Sequence, residues 1–411
     1  MAPKSLLYSL FSSLTVALAA SLPQTDYEVM VIGGGPAGLS ALSGLSRVQR
    51  KTVLFDSGEY RNAPTRNMHD VIGNDGTNTL SYNSSYISPS SPHNSQTLGT
   101  VPSEFRGLAR EQISKYTTAS FVDKKITSIT PVTDPAANTS YFNATDADGA
   151  VYSARKLILG TGLVDVLPDT PGLQEAWGKG VYWCPWCDGY EHRDQPFGIL
   201  GELPDVVGSV LEVYTLNTDI IAFLNGTHTP AAEAALAAKY PNWKQQLETY
   251  NVRLENASIA SFERIQNGAE HTDDKGHQFD IFRLHFTNGS TVDRNAFITN
   301  YPSVQRSSIP TSLGLAMKDG KIDTSINPGM RTSLPGVFAI GDCNSDGSTN
   351  VPHAMFSGKR AAVFLHVELA KEESAAAIEK RTLPSKRAML KAAERSMGNE
   401  LEELWKRARG L

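Results

Sequence analysis

The sequence predicts an α/β chain built twice on a strand–turn–helix unit, and three observations carry the prediction. An apolar run, Val29-Met30-Val31-Ile32, leads into a glycine turn and then into Leu39, Leu42 and Leu45 at helical spacing. A second run, Phe197-Gly198-Ile199-Leu200-Gly201, opens another such unit. From Val337 the chain returns to strand, Gly-Asp turn and helix, so a distant segment completes the first unit. Together these describe two Rossmann-like (three-layer ββα) nucleotide-binding domains, the first of them discontinuous.

The 411 residues suffice for two or three domains and a sizeable core. Hydrophobic residues at 40% and charged residues at 20% describe an ordinary globular protein. A net charge of −5, spread along the chain, argues against nucleic acid as a partner. No run approaches the roughly 18 apolar residues of a membrane span. Lys4, the apolar stretch Ser5 to Ala20 and the small-x-small Ala17-Leu18-Ala19 make residues 1–20 an expected signal peptide. Sequons at Asn83, Asn138, Asn143, Asn225, Asn256 and Asn288 fit a secreted or secretory-pathway glycoprotein. Three cysteines are too few for a disulfide framework, and one C-x-x-C without further ligands argues against zinc.

The expected organisation is a cofactor domain over 25–165 and 299–370, a second Rossmann-like domain over 174–298, and a charged helical tail over 371–411. Residues 78–101, rich in Ser, Thr and Asn, read as a long loop, and Phe105 to Tyr116 as a helix. Ser120 to Pro131 and Asn138 to Leu159 read as strands, with a turn at Asp146-Ala147-Asp148-Gly149. Pro168 to Gly180 reads as a linker.

Gly33-x-Gly35-x-x-Gly38 follows a strand and opens a helix. Its glycines allow a tight turn and close approach of a pyrophosphate, while the helix N-terminus, with Pro36 and Ala37, faces the anion. Asp56, 21 residues beyond Gly35 at the end of the next strand, stands where an acid binds a ribose hydroxyl. The strand Lys156 to Leu159 ends in another glycine turn, Gly160-Thr161-Gly162. A buried strand ending in Gly341-Asp342 can place Asp342 on the ribityl chain of a flavin, and paired with the first turn it is a signature for FAD. Cys184-Pro185-Trp186-Cys187 lets one helical turn bring two sulfurs within bonding distance, and Asp188 beside it can carry a proton. A merely structural disulfide is the alternative reading. Tyr182, Trp183 and Trp186 suggest an aromatic wall near Cys184.

The combination of Gly33 to Gly38, Cys184 to Gly189 and Gly341-Asp342 resembles the low-molecular-weight thioredoxin reductase family from about Tyr27 to Ala370. The stretches Cys184 to Pro196 and Gly341 to Ala362 resemble its fungal FAD-dependent thiol and dithiol oxidase branch. That resemblance implies that Cys187 faces the flavin, that Cys184 exchanges with substrate, and that Asp188 is the acid–base group. It also places Pro352-His353-Ala354 at a helix start against the flavin, with His353 either a thiol base or a packed side chain. Cys343 reads as a small buried residue, and a homodimer is implied.

The second unit departs from the reductase pattern. Leu203 stands where its NADPH turn has a second glycine, and Pro204 and Val206 follow. The strand Ile220 to Leu224 ends in Asn225-Gly226, without the basic pair that would hold a 2′-phosphate. The reading that follows is an oxidase taking electrons from a small thiol or dithiol and passing them to O2 with release of H2O2. An NADPH-dependent disulfide reductase is the alternative.

Overall fold

The computed structural model describes residues 22–74, 99–134, 139–325 and 327–382. The signal-peptide reading, most of the 78–101 loop, Asn83, Asn138 and the tail beyond 382 lie outside the described residues.

The strands Tyr27–Ile32 and Thr52–Phe55 are mostly apolar rather than alternating, because both faces of the sheet they form are covered, one by helices and the other mainly by antiparallel strands. Tyr27–Ile32 pairs in parallel with Thr52–Phe55 on one side and with Val151–Leu159 on the other. Ala119–Val122 extends the sheet beyond Thr52–Phe55. The late strand Val337–Ala339 pairs in parallel with Leu157 to Leu159, which makes the first unit discontinuous as expected. The antiparallel strands Ile126–Asp134 and Thr139–Asp146 join the early part of Val151–Leu159.

Helix Pro36–Ser46 starts where proline, lacking an N–H, is pre-set for a first turn. Its Leu39, Leu42 and Leu45 are buried against the sheet and against the long helix Val351–Thr382. Each such leucine contributes about 1.5–3 kcal/mol by burial. The two helices touch closely because glycines stand between them: a methyl group on Gly358 would lie 2.2 Å from the Ala37 carbonyl oxygen. The long helix runs past Ala370 without a break. Glu372 and Glu373 pair with the buried Arg155 and Arg50, so this part of the expected tail is docked rather than free.

The second sheet orders Arg253–Glu255, Ile220–Phe223, Phe197–Leu200, Ala296–Thr299 and Val181–Tyr182, all parallel. Ile259–Gln266, Ile281–Phe286 and Thr291–Arg294 add an antiparallel three-stranded sheet. Two sheets with parallel strands at their centres and covering helices give the mixed α/β, Rossmann-like architecture that the glycine turns predicted.

Candidate active site

The first glycine turn fits its role at atomic distance. Gly33 has φ +119°, and a methyl group on it would lie 2.1 Å from the Gly160 carbonyl oxygen, so only glycine is accommodated. Gly38 is packed against the Gly33 carbonyl in the same way, while a methyl group on Gly35 would meet nothing within 4 Å. Gly35 is the N-cap of helix Pro36–Ser46, has no side-chain cap, and no acid stands in the first turn. Helix N–H groups and their positive end therefore face open space.

That space is a cleft of about 1410 Å³, its mouth included, lined by Gly33 to Ala37 along one wall. Gly160 to Gly162, Gly341 and Asp342 form a second wall, and Pro352 and Ala354 a third. Asp342 accepts a 2.8 Å ion pair from Arg61, which also holds Asp165 at 2.5 Å. Burial raises the Asp342 carboxyl pKa, and Arg61 opposes the rise. Trp183 lines the cleft beneath Arg61, and its indole N–H is buried with no hydrogen-bond acceptor among the described residues. An unsatisfied donor and a bare Gly35 cradle are what a bound polar cofactor would complete.

Asp56 lies just behind this wall. It accepts from the Tyr60 hydroxyl at 2.7 Å, Arg110 at 3.1 Å and the Gly58 N–H at 2.9 Å. Burial and the Asp56 carboxylate push the Tyr60 phenol up to about 12. Asp56 packs against Gly34 and does not itself line the cleft, although its neighbours Phe55 and Ser57 do.

Cys184 and Cys187 are joined as a disulfide. Cys184 is the N-cap of the turn Pro185–Asp188, and its carbonyl accepts from the N–H groups of Cys187 and Asp188. The turn places the two cysteines differently: Cys187 and Asp188 line the cleft, Cys184 does not. The three aromatic residues around Cys184 differ in their surroundings. Tyr182 is fully buried, Trp183 stacks on Trp177 at 5.1 Å, and Trp186 is 69% exposed. Asp188 accepts from the Thr65 hydroxyl at 3.1 Å. Burial raises its pKa to about 6 against the lowering effects of His192, His69 and Thr65, with Glu191 adding to the rise.

His353 sits in the first turn of the long helix, yet its ring is turned from the cleft that Pro352 and Ala354 line. Its Nε2 lies 2.7 Å from Asp346 Oδ2. The imidazole that does line the cleft is His69, with Nδ1 3.6 Å from Glu191. Cys343 is fully buried, and burial pushes its thiol pKa up.

In the second unit Leu203 does not project from its turn. It is buried in the core with Val206 and Val210. What stands at this helix start is acid: Glu202 is the N-cap of Leu203–Val213, and Asp205 lies in the first turn. The Asp205 carboxylate oxygen is 3.7 Å from where a methyl group on Gly201 would sit. The strand after it ends in Asn225 and Gly226, both at positive φ.

Residues 27–209 and 244–358 match the family described as pyridine nucleotide-disulphide oxidoreductase. The chain is 49% identical over 413 residues to the "Probable thioredoxin reductase" of Arthroderma benhamiae, covering 96% of each protein. It is 31% identical to "Thioredoxin reductase tcpT" of Claviceps purpurea, covering 83% of this chain and 94% of that one. Among solved structures it is similar to HlmI, with TM-score 0.69 and 27% identity over 86% of this chain and 96% of the other. The glycine turns, the disulfide at the cleft and these similarities together mean that the chain belongs to the pyridine nucleotide-disulphide oxidoreductase family, in its thioredoxin reductase-like group.

Proposed function

We propose that this chain is a FAD-dependent thiol oxidase that closes disulfides in a small thiol or dithiol and delivers the electrons to O2. The observation that carries the reading is the contrast in one molecule: a disulfide opens onto a cleft with a bare glycine cradle, while the second glycine turn carries two acids. Gly33 to Ala37 would hold the pyrophosphate of FAD, Asp342 and Gly162 its ribityl side, and Pro352 and Ala354 its ring. Bound there, FAD supplies a two-electron acceptor that O2 can reoxidise.

The protein's own groups do the thiol chemistry. A substrate thiolate attacks Cys184 Sγ, the Cys184–Cys187 bond breaks, and Cys187 leaves as thiolate. A second substrate thiolate attacks the mixed disulfide, the product disulfide leaves, and Cys184 is left reduced. Asp188, with a pKa near 6, holds or releases the proton beside Cys187. The balance is two thiols and O2 to one disulfide and H2O2.

The names of the relatives favour a second reading, an NADPH-dependent disulfide reductase. Acids at the second helix start oppose it, because they repel a dinucleotide phosphate from the positive helix end. Secretion, N-glycosylation and a homodimer remain part of the proposal; Asn288, at an exposed hairpin turn, is the sequon to examine first. The test is stoichiometry in air. The oxidase reading expects one H2O2 per dithiol oxidised without added nucleotide, and turnover that requires NADPH and yields no H2O2 supports the reductase.

A further inference from the structure

The segment from Arg61 to Asp70 belongs to the half of the molecule that holds the glycine cradle, and most of it lines the cleft. Arg66 does not. It reaches across to the half that carries the disulfide and donates from Nη1 and Nη2 to the two oxygens of Asp280, each at 2.8 Å. The same guanidinium donates to Gln278 and Asn267, also at 2.8 Å. The Asp280 side chain is completely buried. It lies 3.3 Å from His192 Nε2, and His192 Nδ1 is 2.9 Å from the Asp188 carbonyl oxygen. One unbroken line of polar contacts thus joins Arg66 to the turn that bears Cys187.

Arg66 is not the only cation on Asp280. Arg264, on the neighbouring strand of the same half, donates to it at 2.9 Å, and the Gly268 N–H does likewise. What Arg66 adds is the link between halves. Thr65 beside it donates to Asp188, and Gly178 leaves room for the backbone of Pro64 and Thr65. A paired guanidinium–carboxylate contact fixes orientation as well as distance, which a lysine ammonium does not.

We propose that Arg66 is a positioning residue for the redox pair: through Asp280 and His192 it holds the Cys184–Asp188 turn so that Cys187 and Asp188 form the wall of the cleft. The proposal rests on the reading of the cleft as a flavin site. Removing the link lets the disulfide-bearing half drift from the cradle, and a misplacement of 1 Å costs roughly 10²-fold in rate.

The experiment uses holoprotein in a Cys184→Ser background, where Cys187 is a free thiol at the cleft. Two quantities are read: the long-wavelength charge-transfer band between the Cys187 thiolate and flavin, and the rate of Cys187 alkylation by iodoacetamide. Cys343 is fully buried and stays silent. Arg66→Ala is expected to weaken the band and speed alkylation several-fold at unchanged FAD content, with Arg66→Lys between it and the parent. In the otherwise native protein, Arg66→Ala slows flavin reduction by saturating dithiothreitol about 10²-fold. Band and alkylation rate equal to the parent's in either variant overturn the proposal, and Arg66→Lys decides alone should Arg66→Ala fail to fold. A parent that binds FAD yet shows no band at any pH overturns the flavin-facing role of Cys187 itself, and the positioning role with it.

Discussion

The two glycine turns of this protein begin from the same plan and end with opposite electrostatics. At Gly33 to Gly38 the helix start is uncapped, free of acid, and open over Gly35. At Gly201 to Asp205 two exposed acids stand at the helix start, Glu202 at the N-cap position without a side-chain cap and Asp205 in the first turn, and Leu203 is drawn into the core. The backbone of a Rossmann unit survives either way, since the strand and helix pack by their apolar faces. Whether the turn can take a phosphate is decided by a few side chains at the helix end. The comparison explains how one half can keep a cofactor cradle while the other serves as a carrier for the disulfide.

The sharpest way to break the comparison is to fill the open cradle. A Cβ at Gly35 meets nothing within 4 Å, so Gly35→Leu should fold while FAD retention falls below detection by absorbance. A yellow, fully loaded Gly35→Leu protein contradicts the placement. Next in size is Asp188→Asn, expected to slow thiol-driven reduction by about 10²–10⁴-fold. The same substitution carries a stability signature. The Asp188 pKa of about 6 lies above its ordinary value, so its contribution is fully present below the ordinary pKa and is lost as pH rises through about 6. Without FAD, Asp188→Asn should therefore remove a loss of stability between about pH 4 and 6 and melt higher than the parent at pH 7. A denaturation series across that range checks it.

Smaller effects fall outside the cleft. His353→Ala, with the ring held by Asp346, should change the rate of flavin reduction by dithiol less than tenfold and leave its pH profile in place. A shifted acid limb would return the thiol-base role to His353. The least effect belongs to the second turn. Glu202 and Asp205 are exposed and screened by solvent, so a double alanine variant should gain only a few-fold in NADPH binding. Titration calorimetry showing micromolar NADPH in the parent would erase the contrast between the turns.

Local pattern made part of this legible in the sequence. The glycine turns, Gly341-Asp342 and the C-x-x-C pair announce themselves within a few residues, because each depends on neighbours in the chain. Arg61, Arg66 and His69 carry no such signal. They lie in an irregular segment, and their partners Asp342, Asp280 and Glu191 are far along the chain, 281 and 214 residues away for the two arginines. The antiparallel sheet Ile259–Gln266, Ile281–Phe286 and Thr291–Arg294 went unread, although its middle strand alternates half-buried and buried residues. His353 shows the opposite failure: its place in the first turn of the helix was readable, and the direction of its ring, set by Asp346, was not.

The central claim, that electrons enter through thiols at the disulfide and not through a nucleotide at the second turn, is tested most directly by an anaerobic titration of the FAD-loaded protein. Two equivalents of dithiothreitol, one for the disulfide and one for the flavin, should bleach the flavin absorbance, and a tenfold excess of NADPH should leave it unchanged over the same time. Rapid stoichiometric bleaching by NADPH would contradict the account.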